Sequence, residues 1–97
     1  MKKVYITVVK INGEKLAVPE KAAPLFEVED SLPIADVAMV FAADSAHRVG
    51  EGLRPPHRLA GWLEAGAESA AVAMDVRPYA VSISVNGEQP VHFTVEP

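Results

Sequence analysis
Arg48, Arg54, His57 and Arg58 bring three of the chain's four arginines within eleven residues. Guanidinium forks match the paired oxygens of carboxylate and phosphate, and Pro55-Pro56 stiffens the same segment. A helix expected to open at Pro56 would add free N–H groups and the positive end of its dipole. The chemistry on offer is anion binding by Arg48, Arg54, His57 and Arg58. Glu51 and Glu64 stand close enough in sequence to neutralise these cations, and a solvated loop accounts for the same residues.

Trp62 is the sole tryptophan. On a helix it would stand one turn beyond Arg58, so the two could share a surface. Tryptophan and arginine are the residue types that anchor protein interfaces. Arg58 and Trp62, with Arg54 nearby, are therefore the candidate partner-binding residues. The competing role for Trp62 is core packing between Leu59 and Leu63.

Other constellations carry less. Asp44 and His47, with His57 across a loop, could make a metal site of two histidines and a carboxylate. A solvated helix end, with His47 and Arg48 complementing the dipole, accounts for them better, and no metal site is assigned. Asp44, Ser45 and His47 adjoin in sequence but diverge around a helix, so they do not form a nucleophilic triad. His92 alternates outward on the last expected strand. Glu27, Glu29, Asp30 and Asp36 lack the spacing of a calcium loop. Neither a nucleophile elbow nor a dinucleotide or phosphate loop occurs. No catalytic residue and no cofactor follow.

The elements that must position these residues fill one domain, 1–97, since 97 residues leave no room for a second core. The net charge of −4 disfavours nucleic acid as a partner. All five lysines lie in residues 1–24 and all four arginines after them, giving +3 and −7 to the two parts. The chain lacks cysteine, which fits a cytoplasmic setting. The apolar run Val37 to Ala43 is far shorter than the roughly 18 residues that suggest a membrane span. The start, Met1-Lys2-Lys3 with Val4 to Val9, reads as a strand rather than a leader.

Asn12-Gly13 and Asn86-Gly87 between apolar runs mark two hairpins. A two-residue turn in the first would pair Val9 with Leu16 and Thr7 with Val18. In the second, a longer loop aligns Val81, Ile83 and Val85 with Val91, Phe93 and Val95. Residues 25–29 suggest a short edge strand. A helix capped by Asp30 or Ser31 would bury Ile34, Val37, Ala38, Phe41 and Ala42 and stop near Gly50. From Pro56 a second helix is expected, favoured by five alanines between 65 and 73, although residues 70–77 also alternate like a strand.

The expected fold is α+β: an antiparallel sheet of four to five strands from the N- and C-terminal hairpins, with two central helices packed on one face. The first strand is apolar on both faces and two helices cover only one, so a homodimer is expected. The function expected first is a non-enzymatic protein-binding module, such as a small inhibitor, an immunity-type protein or an assembly adaptor. A small-molecule or anion-binding protein, or a minor enzyme, using loop 48–58 is the alternative, and a structural oligomer subunit is a third.

Overall fold
The computed structural model describes residues 1–21, 24–52 and 57–97, with residues 20, 21 and 57 described by backbone only. These form seven strands and one helix: β1 (Lys2–Ile11), β2 (Glu14–Lys21), β3 (Phe26–Val28), α1 (Ile34–Gly50), β4 (His57–Ala65), β5 (Glu68–Arg77), β6 (Ala80–Val85) and β7 (Val91–Thr94). The strands make a single antiparallel sheet in the order β2-β1-β4-β5-β6-β7, and β3 also pairs with β1. The protein is mostly β. The expected α+β fold with two central helices is thereby corrected, because residues 57–77 form the hairpin β4–β5 in place of a helix.

The physical reason lies in the glycines and the alternation. Gly66, at φ +61°, takes the first position of the two-residue turn between Ala65 and Glu68, where a type II′ turn needs a positive φ. Ala70, Val72, Met74 and Val76 point into the core, while Ala71 and Ala73 between them are exposed. Alanine's helix preference is a few tenths of a kcal/mol per residue, too little to outweigh apolar side chains placed on a buried face. Gly61 has its own role. A Cβ there would lie 2.0 Å from the Thr7 carbonyl oxygen, since the β1 backbone occupies that space.

Across from Gly61 the register slips. Val8 pairs with Gly61 but Lys10 pairs with Ala60, so Val9 is an extra residue bulging from β1. The turn Asn12-Gly13 forms as expected, with Ile11 opposite Glu14 and Lys10 opposite Lys15. Beyond the bulge, however, Thr7 pairs with Lys21 and Val8 with Glu20, so the expected pairs Val9–Leu16 and Thr7–Val18 do not form. In the second hairpin Val81 opposes Phe93 and Ile83 opposes Val91, the parity that the hydrophobic pattern demands.

The helix α1 follows its apolar stripe: Val37, Ala38, Phe41, Ala42, Ala46 and Val49 are buried. Pro33, rather than Asp30 or Ser31, is the N-cap residue, and its carbonyl accepts from the Asp36 and Val37 N–H groups. The helix lies on β4, β5 and β6, against Leu63, Val72, Met74, Val76, Val81 and Ile83. Tyr79 ties its C-terminal end to the sheet. This residue holds a left-handed φ of 55°; its N–H donates to the Ala46 carbonyl at 3.1 Å and its carbonyl accepts from Val95 N–H at 2.8 Å. Its ring lies where a side chain on Gly50 would stand.

The strand assignment predicts the sign of a substitution. In a helix, Gly61→Ala would stabilise by about 1 kcal/mol. Against the Thr7 carbonyl it should instead cost at least about 2 kcal/mol, the scale of an overpacked core. Urea denaturation of the two proteins decides between them.

Candidate functional site
Among the described residues, α1 is the only element laid on a face of the sheet, and the opposite face has no cover. Even-spaced residues along each strand reach that face. From β4 come Arg58, Ala60, Trp62 and Glu64; opposite them on β5 stand Asp75, Ala73, Ala71 and Ser69. The bulge at Val9 shifts the parity of β1, so Lys10 joins this face in one row with Ala60, Ala73 and Ser84. The next row runs Arg58, Asp75, Ser82 and His92 across four strands.

Ala60 and Ala73 floor an open depression of about 320 Å³, bordered by Lys10, Arg58, Asp75 and Ser82. It continues past Asp75 and Ser82 towards Arg77, His92 and Thr94. Trp62, 39% exposed, flanks it on the same face. Asp75 is drawn to Arg77, whose Nε lies 3.6 Å away. Neither Lys10 nor Arg58 makes an ion pair among the described residues.

Arg58 is held in place through its backbone. Its N–H donates to Asn12 Oδ1 at 3.0 Å, and its carbonyl accepts from the Asn12 N–H at 2.9 Å. Asn12, at φ 52°, therefore extends the β1–β4 ladder by one side chain after β1 has turned away. Asn86 does the same for β5: its Oδ1 accepts from Ala71 N–H at 2.9 Å and its N–H donates to the Ala71 carbonyl at 2.7 Å. The two Asn-Gly turns thus fix one residue on each of the two strands that carry the face.

The structure keeps Arg58 and Trp62 on one surface, for a different reason than helical spacing. Residues four apart on a strand also share a face, roughly 13 Å apart at ~3.3 Å per residue, with Ala60 between them. The anion cluster is not assembled among the described residues. Arg48 lies on α1 with its Nε donating to Asp44 Oδ2 at 2.8 Å, and from His57 onward a strand stands where the second helix was expected. Arg54 and the side chain of His57 lie outside the described residues. His47 turns its Nε2 to Glu51 Oε1 at 2.8 Å and meets the Tyr79 ring edge-on. No group of three potential ligands forms a metal site among the described residues.

Asp75, Ser82 and His92 are the face residues that reading along the sequence missed as neighbours. Reading 70–77 as a strand hairpinned to 80–85 would have set Asp75 beside Ser82, and His92 joins them only through the pairing of β6 with β7. Their order across the sheet puts serine in the middle, whereas a nucleophilic triad needs histidine between serine and aspartate. No hydrogen bond joins the three among the described residues. Among the described residues the face offers contact area, the exposed Trp62 ring and the unpaired cations Lys10 and Arg58.

No family model, no curated protein and no solved structure matches this chain. Among the described residues, no helix is long and apolar enough to cross a membrane.

Among the described residues, Arg48 on α1 and Arg58 on β4 form no joint seat for phosphate or sulfate. Added phosphate should shift the melting temperature of the wild type and of an Arg48→Ala, Arg58→Ala double variant equally. Thermal melts across a phosphate series check this, and a shift confined to the wild type would restore an anion site.

Proposed function
We propose that this protein is a non-enzymatic protein-binding module, of the inhibitor, immunity-type or adaptor kind, working in the cytoplasm through the uncovered face of its sheet. One observation supports this above the others. Trp62 is exposed on a face whose neighbouring positions towards β5 are the small residues Ala60, Ala71 and Ala73, with Thr7 opposite it on β1. Burying an indole against such a floor removes much apolar surface from water, at roughly 25 cal/mol per Å². Arg58 adds a cation with no partner of its own among the described residues, suited to a carboxylate on the other molecule. The strands supply a rigid base, so little order is lost on docking.

The test begins with a partner retained in a pull-down from the source cell. Arg58→Ala should weaken its binding about tenfold or more, the effect of losing an interface anchor, and leave the circular dichroism spectrum unchanged because the side chain is exposed. Isothermal titration of both proteins measures the difference. Equal affinities would remove the face from the interface.

A further inference from the structure
The uncovered face is built unequally on its two central strands. On β4 stand the long side chains Arg58 and Trp62; directly opposite on β5 stand an acid and a small residue, Asp75 and Ala71. Ala60 and Ala73 form the row between. A face of this kind is complementary to itself. Consider a two-fold axis parallel to the strands, lying above the line between β4 and β5. Rotation about it turns a second copy face down and sets its β4 over β5 of the first at the same height. Each Arg58 then lies over an Asp75 of the other copy, and each Trp62 over an Ala71. Every such contact occurs twice, as in any two-fold interface.

We propose that the partner of this face is a second copy of the chain, packed sheet to sheet about that axis. The inference rests on the contact-surface reading above and goes further by naming the occupant. Packed sheets stand about 10 Å apart. An indole facing a methyl group fits that gap, whereas two facing indoles would not. Charge follows the same rule. Arg58 has no ion-pair partner among the described residues, and Asp75 has only a 3.6 Å contact to an exposed Arg77. Both are available to an opposite charge. The depression bordered by Arg58, Ala60, Ala73 and Asp75 gives the other copy's arginine stem a place to enter.

Charge reversal tests the geometry. Wild type should sediment as a dimer at about 100 μM, a concentration that favours micromolar association. Arg58→Asp sets acid against acid across the axis and Asp75→Arg sets cation against cation. Each alone should weaken self-association about tenfold or more. An equimolar mixture should recover the dimer, because Arg58→Asp of one chain then faces Asp75→Arg of the other at one contact and the native Arg58 and Asp75 face each other at the second. Circular dichroism verifies that each variant is folded. Should either fail to fold, Ala71→Trp, at an exposed position, should block the dimer by meeting Trp62 of the other copy. A monomeric wild type, or a dimer indifferent to these substitutions, overturns the proposal. A photo-crosslinking amino acid in place of Ala73 separates the two claims. Capture of the same chain supports the dimer, capture of a different protein alone overturns it but keeps the contact surface, and capture of nothing removes both.

Discussion

The contact between the backbone of β1 and Gly61 sets the arrangement of everything around it. At that point a main-chain carbonyl occupies the volume that any other residue at position 61 would fill with its side chain. The strand can come so close because residue 61 has no side chain, and beside it β1 bulges at Val9, which reverses which side chains point to which face. Val4 and Ile6 reach the core before it, and Ile11 returns to the core side after it, paired with Leu59. Without the extra residue Lys10 would be turned towards the helix layer. With it, a lysine stands on the open side, at the rim of the depression over Ala60 and Ala73.

Among the described residues one helix lies on one face of seven strands, and the distribution of side chains follows from that. The covered face holds Leu63, Val72, Met74, Val76, Val81 and Ile83, all fully or nearly fully buried. Along the same strands the other face carries alanine, serine and charged residues, with Trp62 as the large exception. The helix is secured at its C-terminal end by the Tyr79 backbone, which accepts a left-handed conformation costing about 1 kcal/mol or more for a non-glycine residue. That cost falls where helix, β5–β6 turn and the segment after β7 meet in two hydrogen bonds.

Much of this was legible in the sequence wherever a local signal carried enough energy. Both Asn-Gly turns, the buried stripe of α1, the short strand β3 and the inward parity of β6 and β7 follow from turn chemistry and hydrophobic period. The hairpin β4–β5 was not, because its alanines favour a helix locally and the middle of its exposed side, Ala60, Trp62, Ala71 and Ala73, lacks the polar residues that usually mark a strand's wet face. Gly61 and Gly66, which only weaken a helix, are what the sheet requires. Arg58 and Trp62 fell on one surface under either reading, since a spacing of four suits both periods. Arg48 did not, because its place depended on a second helix. Asp75, Ser82 and His92 became neighbours only through strand pairing, which no short stretch of sequence displays.

The position of β1 has a consequence for how the chain comes together. One edge of β1 is occupied by β2, which follows it after a two-residue turn, and by β3, made soon after β2, so both ladders can close before β4 exists. Its other edge belongs to β4, and the Asn12–Arg58 bond that ends the ladder spans 46 residues. A ribosome adding about 5–20 residues per second completes the first hairpin seconds before β4 has been made. In that interval β1 exposes a row of unsatisfied N–H and C=O groups and both Val4 and Ile6 lack their cover. Closing such long-range pairs is the slow part of folding a β protein. The nascent chain must therefore hold an open edge on β1 until the central hairpin emerges to fill it.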